Sequence, residues 1–301
     1  MTFTRHLTWD GCLNVRDLGG LPAADGRVTR WGALVRSDSP AGLTPAGWAA
    51  LRAHGIRTIV DLRNDDERAA DPAATPGGPA GITVVHVPLD DLGDTAFWRR
   101  IWKDGLDGTP LYYRPFLERK PERCAAAVAA VADARPGGVL VHCTIGRDRA
   151  GLVALLLLAL AGVAPADIAD DWALSNSRLE PLRAEVGPGP AEALARRGLT
   201  ARQVVVATLE AVDVEAVLRA GGLSERRLRV VRDRLLAAGP QDTGILLEDA
   251  AGPGGLAVDG ARRARADRGR QDLPAAEVRG DGVADPGVAV AQVRVPEVAG
   301  G

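Results

Sequence analysis

The hydrophobic pattern along the first 240 residues switches repeatedly between two periods. Short apolar, β-branched runs at Trp31 to Arg36, Ile56 to Leu62, Ile82 to Leu89 and Val139 to His142 predict strands. Between them lie helical stretches. Thr44-Pro45 reads as an N-cap with proline in the first turn, opening a helix to about His54 that Gly55 ends. Asn64 to Arg68 is acidic at its start and opens a short helix, and Tyr112 to Ala134 is helical with an interruption near Pro121. Leu152 to Leu160 is almost wholly apolar, which predicts a buried helix. Ala166 to Asn176, Thr200 to Val217 and Ser224 to Ala237 are further helices, while Pro72 to Gly81 and Pro181 to Pro190 break the pattern.

Strands alternating with helices, followed by a helical end, predict an α/β domain with a mostly parallel central sheet flanked by helices. In such sheets ligands bind at the carboxyl ends of the strands. Asp90 to Thr109 is polar with interspersed Phe97, Trp98, Ile101 and Trp102, and reads as a flexible cap over such a site. Trp98 and Trp102, four apart, read as one packed helix face. From about Pro240 the period dissolves into Ala, Gly, Val, Arg and Asp. The expected organisation is therefore a domain over 1–239 and a disordered tail over 240–301.

Composition narrows the function. The net charge of −2 offers no basic field for nucleic acid or an anionic membrane. Three cysteines, Cys12, Cys124 and Cys143, do not make a disulfide framework and fit a reducing cytosol. Four scattered histidines, without C-x-x-C or H-E-x-x-H, give no metal cage. Met1 to Asn14 has no apolar signal core, and Leu152 to Val163 is too short to span a bilayer, so a cytoplasmic protein is expected.

The chemistry concentrates in Val139 to Gly151, V-L-V-H-C-T-I-G-R-D-R-A-G. A strand that turns sharply into a helix leaves backbone N–H groups free at the turn. The helix N-terminus adds partial positive charge, so the concavity suits a phosphate dianion. Thr144, Ile145, Gly146 and Arg147 would form the cradle, Gly146 letting the backbone come close. Arg149 can close it with a two-point fork on phosphate oxygens. The same field, with Arg147 and Arg149 alongside, favours the thiolate of Cys143. A thiolate beneath a phosphorus atom can take the phosphoryl group, and water can then hydrolyse the thiophosphate. His142 reads as a strand-end hydrogen-bonder that positions the loop. Arg147 reads equally as a solvated charge or a substrate contact. Asp61 and Arg63 read as an ion pair at a strand end. Asp90 and Asp91, after a strand, read as a turn or as a second place for a general acid. Cys12 and Cys124 read as structural.

The motif His142-Cys143-x-x-Gly146-x-Asp148-Arg149 resembles the loop of atypical, lipid-phosphatase-like bacterial protein-tyrosine phosphatases, H-C-x-x-G-K-D-R-T-G. The resemblance extends to N-V-R-D-L-G-G at Asn14 to Gly20, Val35-Arg36-Ser37, G-I-R-T-I-V-D-L-R at Gly55 to Arg63, Gly162-Val163 and Asp170 to Asn176, covering roughly residues 10 to 238. It implies the cysteine-phosphatase fold and a two-step, cofactor-free and metal-free hydrolysis of phosphate monoesters on protein, lipid or small-molecule substrates. It also implies Cys143 as nucleophile, Arg149 as clamp and Asp148 as general acid. Arg16 and Asp17 match positions expected to pack beside the loop and join the phosphate-contact candidates.

Two positions depart from that pattern. Arg147 replaces lysine, keeping charge but changing geometry. Ala150 replaces a Thr or Ser whose hydroxyl is expected to assist the leaving thiolate. The leading expectation is a protein-tyrosine phosphatase. The alternatives are a phosphate-binding, weakly active module of the same fold and a rhodanese-like sulfurtransferase, which the Asp148-Arg149 end and N-V-R-D-L-G-G disfavour.

Overall fold

Every residue of Gly138–His142 is buried, as an unbroken apolar run requires of a strand covered on both faces. The computed structural model describes residues 4–69, 81–182 and 189–237. Five strands form one sheet: β1 (Arg16–Asp17), β2 (Leu34–Ser37), β3 (Ile56–Asp61), β4 (Thr83–His86) and β5 (Gly138–His142). Their spatial order is β1-β2-β5-β3-β4. Only β1 is antiparallel to its neighbour; the β2–β5, β5–β3 and β3–β4 pairs are parallel. The fold is thus the expected α/β architecture with a mostly parallel sheet.

Side chains alternate between the two faces of each strand. Val35, Ile59 and Leu140 enter one core with Trp9, Val15 and Leu51, the last from helix α1 (Pro45–Ala53). Leu34, Val60, Val139 and Val141 enter the larger core on the other face. That core is built around α6, Arg149–Leu160, in which ten of twelve residues are buried. A helix apolar on all sides must be surrounded. Here the neighbours include α5 (Pro121–Ala132) and α7 (Pro165–Arg178). Each fully buried leucine contributes roughly 1.5–3 kcal/mol, so the helix that starts at the end of the Cys143 loop is firmly seated.

β1 and the helix Gly189–Ala195 have no counterpart in the sequence expectation, and other elements differ from it in extent or kind. The strand over Ile82 to Leu89 stops at His86; Val87 and Leu89 still donate to Asp61 and Leu62, but Pro88 between them has no N–H to extend the ladder. The helix over Thr200 to Val217 is two, Ala201–Ala211 and Val214–Ala220. Asp213 breaks the run by accepting from the Ala216 N–H at 2.9 Å as an N-cap. The expected flexible cap contains instead a helix, α3 (Thr95–Lys103), capped by Asp94 and docked through buried Phe97, Trp98 and Ile101. Trp102 stacks on Trp98 but is 37% exposed, so only part of that aromatic face packs. The tail over 240–301 and most of the Pro72 to Gly81 loop lie outside the described residues. Among the described residues no helix is long and apolar enough to cross a membrane.

Candidate active site

Cys143 follows β5 directly and is 2% exposed. Between it and α6 the loop carbonyls are bound from outside. Thr144 O accepts from the Ser39 N–H at 2.9 Å, and Ile145 O from Asn14 Nδ2 at 2.9 Å. Gly146 O and Arg147 O both accept from Arg36 Nη2, at 2.9 and 3.1 Å. In a trans peptide the N–H points opposite to the C=O. The N–H groups of Ile145, Gly146, Arg147 and Asp148 therefore face away from these donors, and none has a protein acceptor among the described residues. Successive inward N–H groups make an anion nest. Gly146 is essential to it: its φ is +70°, and a Cβ there would sit 2.4 Å from the Ser37 carbonyl group.

The donors behind the loop belong to a buried polar network. Asp171, on α7, receives Arg16 Nε at 3.0 Å, Arg36 Nη1 at 2.9 Å and the Arg5 guanidinium. Arg16 also donates to Asn14 Oδ1 at 2.6 Å and Ser175 Oγ at 3.0 Å. Burial works against an ionised Asp171, but the Arg16, Arg36 and Arg5 charges outweigh it and hold its pKa at about 2. This corrects the placing of Arg16 and Asp17 among the phosphate contacts. Arg16 is fully buried and spends its donors on Asp171, Asn14 and Ser175. Asp17, also fully buried, accepts from the Gly19 and Gly32 N–H groups and pairs with His54 at 2.7 Å.

Arg149 is held by a residue that the sequence reading did not single out. Glu67, on the five-residue helix α2 (Asp65–Ala69), accepts from Arg149 Nη1 at 2.5 Å and Nη2 at 2.6 Å, and from Thr144 Oγ1 at 2.5 Å. Burial pushes the Glu67 carboxyl up, but the hydrogen bonds and charge of Arg149 reverse this and leave it at about 2. Asp90 Oδ2 lies 3.3 Å from Arg149 Nη1. The only trace of Glu67 in the sequence is its place shortly after a strand end. The β3–β5 register sets Asp61 beside His142, and this brings the residues after β3 to the loop.

Arg147 is not a solvated charge: it is 7% exposed, and its Nε and Nη2 reach the two Asp148 oxygens at 3.2 and 3.4 Å. His142 Nδ1 donates to Cys143 O at 3.1 Å, fixing the chain at Cys143. Burial, with Arg63 and Arg149 nearby, lowers the His142 pKa to about 4 against the opposing pull of Asp61. Asp61 and Arg63 form the expected pair, at 3.0 and 2.9 Å. Asp91 turns away from the loop onto Lys120 at 2.8 Å. Cys12 and Cys124 are buried, and burial raises the Cys12 thiol to about 12 and the Cys124 thiol further still.

The chain is 35% identical over 181 residues to a tyrosine-protein phosphatase candidate of Cupriavidus necator, covering 58% of this chain and 64% of that one. It thus spans somewhat under two thirds of that relative's length. It is 34% identical over 205 residues to the triple specificity protein phosphatase PtpB of Mycobacterium tuberculosis, covering 58% of this chain and 71% of PtpB. It is 30% identical over 227 residues to a tyrosine-protein phosphatase of Nostoc commune, covering 69% of this chain and 75% of the relative. The model of the tyrosine phosphatase family matches residues 7–237, from the strand-end network through the Cys143 loop to the last helix, and the chain belongs to that family.

Proposed function

We propose that the protein is a phosphoric monoester hydrolase that works through a phosphocysteine at Cys143, with phosphotyrosine in protein as its leading substrate. The observation that carries this is the set of four loop carbonyls bound from outside. The N–H groups of the same peptides point the opposite way, in the loop that runs from buried Cys143 to Arg149. Such a cradle binds three phosphate oxygens, leaving the fourth substituent in line with sulfur. The sulfur attacks phosphorus, the ester oxygen leaves with a proton, and water then cleaves the S–P bond. Phosphoserine, phosphoinositide or small phosphorylated metabolites remain within the same chemistry. The family relatives support the phosphoprotein reading through their names.

Cys143→Ser should abolish hydrolysis of p-nitrophenyl phosphate and phosphotyrosine peptide while still binding vanadate. Rapid acid quenching of wild type on labelled substrate should trap phosphate on the protein. Turnover that survives in Cys143→Ser rules the mechanism out. A second reading, a phosphate-binding module that turns over poorly, draws on Ala150. This residue is fully buried in the first turn of α6 and has no hydroxyl to offer the departing sulfur.

A further inference from the structure

We propose that Asp90, rather than the loop aspartate Asp148, is the catalytic residue that moves the proton in both steps. The inference rests on the phosphocysteine reading above. Its basis is how the two carboxyl groups beside the loop are held.

Asp148 is engaged. Both of its oxygens face the Arg147 guanidinium, at 3.2 and 3.4 Å. Arg147 is itself confined, being 7% exposed. A guanidinium presents a planar two-point fork where an ammonium presents a point charge. The lysine-to-arginine change at 147 therefore occupies both Asp148 oxygens as acceptors. Asp148 would have to leave this pair before it could give a proton to an ester oxygen.

Asp90 borders the Arg149 fork directly. Its Oδ2 is 3.3 Å from Nη1 of the clamp Arg149, and its side chain is 14% exposed. The chain around it is fastened from outside. Lys120 Nζ lies 2.8 Å from both Asp91 Oδ2 and Asp94 Oδ2, and Arg119 Nε lies 2.9 Å from Asp94. Arg123 donates to Pro88 O at 3.2 Å, and Trp98 Nε1 donates to Asp91 O at 2.9 Å. These contacts fix the backbone on both sides of Asp90 and leave its own carboxyl turned toward Arg149.

The charged and titratable groups facing Asp90 come from each packed element: Arg149 from α6, Glu67 from α2, Asp148 from the loop, and Tyr112 just ahead of α4 (Tyr113–Arg119); Asn64 hydrogen-bonds it. Burial raises the Asp90 pKa most, Glu67 and Asp148 add to that, and Arg149 and Asn64 oppose it, leaving about 6. A phosphate dianion on Arg149 adds like charge and raises it further. Such a group is protonated in the substrate complex and can titrate near neutral pH. In the first step the S–P bond forms, the P–O bond breaks and the Asp90 proton passes to the leaving oxygen. In the second, a water oxygen bonds to phosphorus, the S–P bond breaks and the Asp90 carboxylate takes the water proton, restoring the starting state.

The test compares Asp90→Asn with Asp148→Asn on aryl and alkyl phosphates of increasing leaving-group pKa. Asp90→Asn should lose about 10²-fold or more on alkyl phosphates and far less on p-nitrophenyl phosphate. It should also lose the alkaline limb of the kcat/KM–pH profile. Asp148→Asn should lower all substrates by a similar factor. Each comparison is between substrates on one protein, so a partly unfolded fraction cancels. Equal losses across substrates in Asp90→Asn, or a steepened dependence in Asp148→Asn alone, overturns the assignment. Turnover retained in Cys143→Ser would instead remove the underlying phosphocysteine reading, whatever Asp90→Asn does.

Discussion

Glu67 grips Arg149 at both terminal nitrogens, at 2.5 and 2.6 Å, from a helix of only five residues. The pair fixes which way the fork faces before any ligand arrives. Glu67→Gln keeps the shape and removes the charge. A hydrogen bond to a charged group is worth roughly 1.5–3 kcal/mol, or about 10- to 100-fold. Both kcat/KM and vanadate affinity should fall by that order, because both depend on the same fork. Unchanged values would mean that the loop alone orients Arg149.

The network behind the loop should show itself in acid. Asp171 has its folded pKa depressed to about 2, against an unfolded value near ~3.9. Its contribution to stability is complete above about pH 4 and is lost as pH falls toward about 2. Asp171→Asn should cost about 3–5 kcal/mol near neutrality, since it leaves buried arginines short of their counter-charge. It should also flatten the stability–pH curve below pH 4. Urea titrations at several pH values read both effects.

Gly146 and Gly26 make a controlled pair. Both have positive φ, +70° and +84°. A Cβ on Gly26 meets nothing within 4 Å, whereas one on Gly146 meets the Ser37 carbonyl group at 2.4 Å. Gly26→Ala should cost roughly 1 kcal/mol of stability, from backbone conformation alone, and keep full activity. Gly146→Ala must push the loop off the end of β2. Its phosphate binding and turnover should fall at least about 10²-fold, the scale of losing one preorganised donor.

Ala150 sets the expected rate-limiting step. The sulfur must leave as a thiolate in the second half-reaction, and alanine has no proton to offer it. The loop N–H groups and the helix terminus still help, so the step slows without stopping. A charge-assisted hydrogen bond of roughly 1.5–3 kcal/mol corresponds to about 10- to 100-fold. Wild type should show a burst of alcohol product on rapid mixing, and Ala150→Thr should shrink the burst and raise kcat. The absence of a burst, with kcat unchanged in Ala150→Thr, would remove the basis for a weakly active module.

The last strand, the loop after it and the buried helix were legible in the sequence because they lie in one contiguous run, Val139 to Leu160, where period and residue type agree. The parallel strands were legible for the same reason, whereas β1 and the loss of ladder at Pro88 were not. What lay beyond reach was held together by register. Glu67 is 82 positions from Arg149, and Asp171 is 135 from Arg36. Nothing local marks either as a partner. Arg147 gave no sign of its burial, because burial is set by tertiary packing and not by the residues beside it in sequence. The cap expectation failed at α3 because polar residues around Trp98 masked three core-facing positions, Phe97, Trp98 and Ile101.

A loop whose outer carbonyls are already bound by Ser39, Asn14 and Arg36 has no conformational choice left to make when an anion enters. It reads only a tetrahedron of oxygens and is blind to whatever hangs from the fourth. Inorganic phosphate, the product, therefore presents the cradle with the same face as the substrate. It should act as a competitive inhibitor, measurable as a rise in apparent KM at constant kcat. Selection among esters then falls to the walls around the mouth, and the free phosphate of the surroundings sets what fraction of the enzyme stands open.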